Sequence, residues 1–443
     1  MIEMSYSAAV IGAGPAGIFA ARELARSGVR VCLFNRDIKP GGLAEYGIYP
    51  DKQVMKQGLR SQFLQVLDTP GLAYYGNVSI GGQGDLSLED LRALGFQALL
   101  VCVGAQGTKW LGLPGEQLTG VAHAKDLVYH YNQLPSYSQR NFHFGKKVAV
   151  VGAGNVMLDI ARFLIQKIKV EEVVAVVRRG PLEVKFDQKE MEYVIMNLDQ
   201  YALEVELERI APLMHAVGQD PATARNLLLA SLSKAYPSNS ATRFRFEFLV
   251  SPTQVLGNGQ GSVSGLEVEE NALQLQAGEA RARGTGRRRV LPLDSVVFAI
   301  GDQVEAGFGL PVSGAEFAKN PQPRFPVDGI SFEAYDPQAQ AVIPDVFMAG
   351  WSRQASSGLV GYARRDGTQG ALAVLQYLRT LPLAAFDDKA LAARLRKIGK
   401  PIITASDVRN LAEIEAAEAR RRGLAVFKFG TNEEMLARIM SVG

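Results

Sequence analysis

AAVIGAGPAG, at residues 8–17, is a short apolar run that breaks into glycines spaced G-x-G-x-x-G, at Gly12, Gly14 and Gly17. A helical pattern follows (IFAARELARSG), then a second apolar run, VRVCLF, at residues 29–34. Strand, turn, helix and strand in that order predict the opening of a dinucleotide-binding unit. The first glycine allows the tight turn, the second lets backbone approach a pyrophosphate, and the third lets helix pack on strand. Unpaired N–H groups at the helix start would face the phosphates. The second strand of such a unit usually ends on an acidic residue that grips a ribose hydroxyl. Here that position is Asn35, a weaker partner than a carboxylate, with Asp37 two residues on.

The pattern recurs at mid-chain. KVAVV at residues 147–151 predicts a strand, Gly152, Gly154 and Asn155 a turn, VMLDIARFLIQ a helix, and VVAVV at residues 173–177 a second strand. Met157 stands at the third glycine position, which predicts a helix set slightly further from its strand. The strand-end position carries Arg178, with Arg179 beside it. A carboxylate there would repel a 2′-phosphate, whereas guanidinium groups pair with one, so this turn predicts NADP(H) rather than NAD.

Composition sets bounds around these two units. A chain of 443 residues, 47% hydrophobic, predicts two domains. Basic and acidic residues number 48 and 45, a net charge of +3. That balance excludes a global nucleic-acid or membrane signature and stays compatible with an acidic protein partner. The only cysteines, Cys32 and Cys102, sit in separate apolar runs. There is no CxxC pair, which excludes a dithiol motif and a four-cysteine iron–sulfur site. His123, His130, His143 and His215 lack metal-ligand spacing, so no metal is expected; His123 and His130 are expected on one helix face. MIEMSYSAAVIGAG runs straight into a strand without a leader pattern, and no apolar stretch reaches the roughly 18–20 residues of a membrane span, so a cytoplasmic location is expected. The tract RARGTGRRR at residues 281–289 reads as an exposed hairpin loop, and RRR at 420–422 as the last turn of a helix. Residues 212–251 read as a helix followed by a strand, FRFEFLV.

In order and spacing, further segments resemble the adrenodoxin-reductase-like ferredoxin–NADP reductases, a family related to the flavin module of the glutamate synthase small subunit. The likeness is carried by GAGPAG, then GGLAEYGIYPDK at 41–52, YYGNVSIG at 74–81 and LLVCVGAQGTKWLGLPGE at 99–116. It continues through GAGNVMLDIAR, RRGPLEVKFDQKE at 178–190, DVFMAGW with SSGLVG at 345–361, and the tail ITASDVRNL with NEEMLARI. The resemblance implies an α/β fold of two Rossmann-like domains, the NADP-binding one (110–325) inserted into a discontinuous FAD-binding one (1–109 and 326–443).

The resemblance also implies roles. Gly12, Gly14, Pro15, Ala16, Gly17 and Asn35 would hold FAD, joined by Gly42, Leu43, Tyr46, Val78, Val103, Gly104, Ala105, Gly350, Trp351, Gly358 and Leu359. Gly152, Gly154, Asn155, Val156, Arg178, Arg179 and Glu190 would hold NADP(H). Asp159 matches an aspartate near the hydride-transfer site, and Gly358 lies where nicotinamide meets flavin. Lys52 stands where the family often has a histidine, and Ala355–Gly358 reads ASSG where it usually has GPxG. The implied activity is hydride transfer from NADPH to FAD, then release of single electrons to ferredoxin or a similar small acidic protein. Two other functions fit parts of the sequence. One is a flavin subunit like the glutamate synthase small chain, although its usual cysteine-rich iron–sulfur domain has no counterpart here. The other is a degenerate, non-catalytic nucleotide-binding protein.

Overall fold

The computed structural model describes residues 4–355 and 358–441. The chain divides into two compact units. The first is Met1–Thr108, Tyr129–Gln139 and Asp302–Gly443; the second is Lys109–Val128 and Arg140–Gly301.

A six-stranded sheet forms the first unit. Its order is Glu333–Asp336, Ala341–Met348, Ala98–Val101, Ser7–Ile11, Arg30–Asn35 and Leu72–Gly76. All neighbours are parallel except the first pair. Every residue of Ser7–Ile11 is buried, as expected for a central parallel strand covered on both faces. Ala8 and Val10 join the core on one face, Ala9 and Ile11 the core on the other. The helix Pro15–Arg26 buries Ile18, Phe19 and Leu24 completely.

The second unit holds a five-stranded parallel sheet: Arg243–Phe248, Glu172–Val177, Lys147–Val151, Ser295–Phe298 and Val121–His123. An antiparallel sheet of Val250–Gly257, Val263–Gln276 and Glu279–Leu291 completes it. The basic tract 281–289 is therefore a strand and not a loop. Arg287 pairs with Glu270, Arg288 with Glu267 and Arg289 with Glu247. Two Arg–Glu pairs across the ladder and a third to the strand Arg243–Phe248 neutralise what looked like a solvated turn. The tract at 420–422 closes the helix Ala405–Arg421, where Arg421 and Arg422 both pair with Glu418.

The chain recrosses at residue 301, earlier than the expected 325. Asp302–Gln303 pairs antiparallel with Gly107–Thr108 and so belongs to the first unit. Tyr129–Gln139 also belongs there, because Tyr129 and Leu134 bury against Tyr46. No described helix is long and apolar enough to cross a membrane.

Cys32 and Cys102 are buried and free. Burial pushes the Cys32 thiol up to about 12 and raises Cys102 as well, so neither is a ready nucleophile.

His123 ends a strand, whereas His130 lies on the helix Ala124–Tyr131, so the two do not share a helix face. His123 is 2% exposed, and its Nδ1 accepts from the Lys125 N–H at 3.2 Å. Burial, then the Lys125 charge, lower its pKa to about 4. The unfolded chain takes up this proton near pH 6.5 and the folded chain does not, so stability falls as pH drops through that window. Between pH 7 and pH 5 the expected loss from this group is about 2 kcal/mol. Denaturant unfolding at the two pH values checks it: a His123→Gln chain should lose less, and an equal loss in both would refute the assignment.

Candidate dinucleotide sites

The first glycine turn is shaped by close approach. Gly12 has φ +100° and lies against the Cys102 carbonyl, and a Cβ on Gly17 would fall on the Gly12 carbonyl oxygen. Gly14 is the opposite case, with nothing within 4 Å of a Cβ placed there. The helix begins with Pro15, followed by buried Ala16, and no side chain caps it. Elsewhere Asp199, Asp220, Asp387, Thr404 and Thr431 cap their helices by accepting backbone N–H bonds. An uncapped helix start beside open space is a ready anion site, which fits a pyrophosphate.

Asn35, 7% exposed, faces inward. Its Oδ1 accepts from the Ala13 N–H at 3.0 Å, and its Nδ2 donates to the carbonyls of Asp37 and Lys39 at 2.8 and 3.0 Å. The side chain thus fastens the glycine loop to the strand end. One Oδ1 lone pair is left for a ligand hydroxyl. The Val78 N–H donates to the Asn35 carbonyl at 2.9 Å, and Val78 is itself buried.

Several distant segments converge on this turn. The Gly41 N–H donates to the Ala13 carbonyl at 2.7 Å. A Cβ on Gly42 would sit 3.2 Å from Gly14 Cα. The short helix Leu43–Tyr46 follows, with Leu43 half-buried and Tyr46 buried. Val103 lies beside Gly12, and Ala105 is buried. The Gly104 N–H donates to Ser352 Oγ at 2.9 Å, joining that loop to the turn Gly350–Ser352. A Cβ on Gly350 would meet Ala16 Cβ at 2.7 Å, and the Gly350 N–H donates to Asp366 Oδ2 at 2.6 Å. Arg353 pairs with the same buried carboxylate. Trp351 is half-buried in that turn. Leu359 is the N-cap of the helix Val360–Leu378, which no side chain caps, and Gly358 precedes it at φ +74°. Lys52 is the N-cap residue of the helix Gln53–Leu67. Within the ASSG stretch, Ser356 and Ser357 lie outside the described residues.

Ser352 and Asp366 were not legible as part of this site. Each acts by holding a backbone N–H from far along the chain. Asp366 is the one carboxylate of the helix Val360–Leu378 and stands beside Gly367, which is the only local hint of it in the sequence.

The second turn repeats the arrangement. Gly152 lies against the Ala299 carbonyl, a Cβ on Gly154 would meet nothing within 4 Å, and no side chain caps the helix Asn155–Phe163. Met157 is buried in the helix–sheet packing. Asn155 and Asp187 exchange two hydrogen bonds, each 2.7 Å, and the Lys185 N–H donates to the Ala153 carbonyl at 2.8 Å. The 185–190 stretch, including Glu190 on the short helix Gln188–Met191, is thereby laid along the turn. Val156 is 46% exposed, and Asp159 is half-buried one helical turn beyond Asn155.

Arg178 is exposed and Arg179 half-exposed; among the described residues neither pairs with a carboxylate. Their backbone is pinned, with the Arg178 carbonyl accepting from Asn271 Nδ2 at 3.0 Å and the Arg179 carbonyl from the Leu249 N–H at 3.2 Å. Arg243 and Arg245, on the neighbouring strand, are both paired with Glu172. Two guanidinium groups held ready and left uncompensated fit an external phosphate.

The comparisons agree with this architecture. Residues 6–209 match the family model described as pyridine nucleotide-disulphide oxidoreductase. The chain is 28% identical over 393 residues to NADPH-ferredoxin reductase FprA of Mycobacterium leprae, covering 81% of each chain. It is 27% identical over 461 aligned positions to the mitochondrial NADPH:adrenodoxin oxidoreductase of Salvelinus fontinalis, covering 94% of this chain and 87% of that one. The solved structure of Mycobacterium tuberculosis FprA in complex with NADPH has the same fold, with a TM-score of 0.79 at 24% identity over 98% of this chain and 100% of that one. Residues 6–209 thus carry the likeness to the pyridine nucleotide-disulphide oxidoreductases, and the chain is a homologue of proteins named NADPH-ferredoxin reductase and NADPH:adrenodoxin oxidoreductase.

Proposed function

We infer that the chain is an FAD-dependent oxidoreductase that takes electrons from NADPH and delivers them to a small acidic one-electron carrier of the ferredoxin type. The observation that carries this is a pair of uncapped helix starts beside open glycines, one in each compact unit, with Arg178 and Arg179 unpaired at the second. FAD would occupy the first unit and NADP(H) the second.

FAD, when bound, supplies the conversion between hydride and single-electron chemistry. The chain supplies binding and orientation. N–H groups after Gly14 hold a pyrophosphate, and Gly42, Leu43 and Tyr46 wall the far side of the same turn. Gly350 and Trp351, fixed through Asp366, close it from the C-terminal segment. Gly154, Asn155 and Val156 hold the second pyrophosphate, Glu190 flanks it, and the two arginines select the 2′-phosphate. Asp159, Lys52 and Gly358 are the groups assigned to the electron-transfer region. The names of the relatives support ferredoxin or adrenodoxin as the type of acceptor, and the near-neutral charge with Lys52 suits an acidic one. Two buried thiols suit a reducing compartment, and we place the protein in the cytoplasm.

The test is direct. The purified chain should carry stoichiometric FAD, lose its visible flavin band under NADPH without oxygen, respond far more slowly to NADH, and then reduce a ferredoxin. A colourless protein, or one indifferent to NADPH, overturns this function.

A further inference from the structure

Behind the turn that packs on Gly14 lies a buried charge cluster that the nucleotide sites do not use. Glu45, on the helix Leu43–Tyr46, is 3% exposed. It accepts from Arg60 Nε and Nη2 at 2.5 and 2.7 Å and from Lys428 Nζ at 2.6 Å. Lys428 Nζ also donates to the carbonyls of Glu45 and Asn132 at 3.1 and 3.3 Å, 5.0 Å from the Tyr46 ring centre. Beside it, Lys39 pairs with buried Glu415. Lys56, 2% exposed, completes the cluster. Its Nζ donates to the Ile48 carbonyl at 3.1 Å and to Asn132 Oδ1 at 2.6 Å. Among the described residues it has no carboxylate within 4 Å.

Among the described residues, Lys39, Arg60 and Lys428 thus pair only with Glu45 and Glu415, and Lys56 with neither. We propose that this buried excess of positive charge sets the reduction potential of FAD held at the adjoining turn, with Lys56 as the uncompensated charge that favours the electron-rich state. The proposal rests on FAD occupying the first unit.

Three physical points carry it. First, the cluster is close to that turn: Gly41 bonds to Ala13, Gly42 touches Gly14, and Glu45 to Ile48 follow within a few residues. Second, burial keeps the charge effective. Salt screens exposed charges within about 10 Å at 0.1 M, but buried ones far less. Reduction adds electrons to the bound group, so a nearby uncompensated cation stabilises the reduced form. Third, an unpaired buried ammonium detracts from stability, since desolvating it is unfavourable and a methionine would fill similar volume.

The groups facing Lys56 are the cations Lys428, Arg60 and Lys39, the anion Glu45, and neutral Asn132 from the 129–139 segment. Burial first, then repulsion from Lys428, brings the Lys56 pKa down to about 7, against the attraction of Glu45. Lys428, lowered mainly by burial, lies at about 8. The charge of the cluster therefore changes across the neutral range.

Spectroelectrochemical titration of the FAD-loaded full chain tests this, with wild type beside Lys56→Met and Asn132→Asp. The first variant removes the charge. The second puts a carboxylate at the Lys56 amine with almost no change of shape. Both should shift the midpoint potential to more negative values at pH 7, and Lys56→Met should also lose a bend in the potential-against-pH curve near neutrality. FAD-loaded variants with wild-type potentials overturn this proposal alone. Should Lys56→Met fail to fold, Asn132→Asp decides by the same criterion. A wild-type chain that binds no FAD overturns the functional assignment, and this proposal with it.

Discussion

Gly17→Val yields a chain that holds no FAD and whose first unit is destabilised by about 3 kcal/mol or more. The new Cβ would fall on the Gly12 carbonyl oxygen. That obstacle is backbone, so no rotamer change relieves it. The helix Pro15–Arg26 must lift away, taking with it the fully buried Ile18, Phe19 and Leu24 and uncoupling Ala16 from Gly350. The measurements are FAD content after gel filtration and the thermal unfolding midpoint. Gly14→Ala is the matched control. Its Cβ would meet no protein atom within 4 Å, and its φ of −75° suits any residue. It should fold normally and bind FAD more weakly, because the methyl group enters the space assigned to the pyrophosphate. A Gly17→Val chain with normal FAD content and melting would refute the packing account.

Changing Arg178 and Arg179 together to alanine raises the apparent KM for NADPH about 100-fold and changes that for NADH by less than about twofold. Each charge-assisted contact to a 2′-phosphate contributes about 1.5–3 kcal/mol, and part is recovered by solvent. Stability should hardly change, because neither guanidinium is tied to a carboxylate in the described structure and the backbone bonds that hold this strand end remain. Steady-state kinetics with both nucleotides checks it. Equal losses for NADPH and NADH would place the arginines elsewhere in the mechanism.

Both turns were legible in the sequence because their chemistry is local. Glycine spacing, a following helix and a strand-end residue lie within about thirty residues, and each has a steric or electrostatic reason. What stayed hidden depends on partners far along the chain. Asn35 could be placed at the strand end, but not turned inward onto Ala13 and Lys39. The arginines at 281–289 read as loop because their neutralising partners, Glu247, Glu267 and Glu270, belong to other strands. The return at 301 was missed because two residues, Asp302 and Gln303, settle it by pairing with Gly107–Thr108. Nothing in the residues around Lys56 and Lys428 marks them as buried. Their partner Asn132 lies 76 and 296 positions away.

The strand order of the first sheet also governs when the protein can become functional during its synthesis. Ala98–Val101 lies between Ser7–Ile11 and Ala341–Met348. Its second neighbour thus emerges from the ribosome some 240 residues after it does. The second unit, by contrast, is complete at Gly301. The inserted unit can fold while the N-terminal strands still wait for their partner. Lys428 and Glu415, which hold the turn behind Gly14, are made later still. A nascent chain therefore has the turn at Gly152 assembled well before the turn at Gly12 is closed from the C-terminal segment, and a chain cut short near its C-terminus would lack that closure.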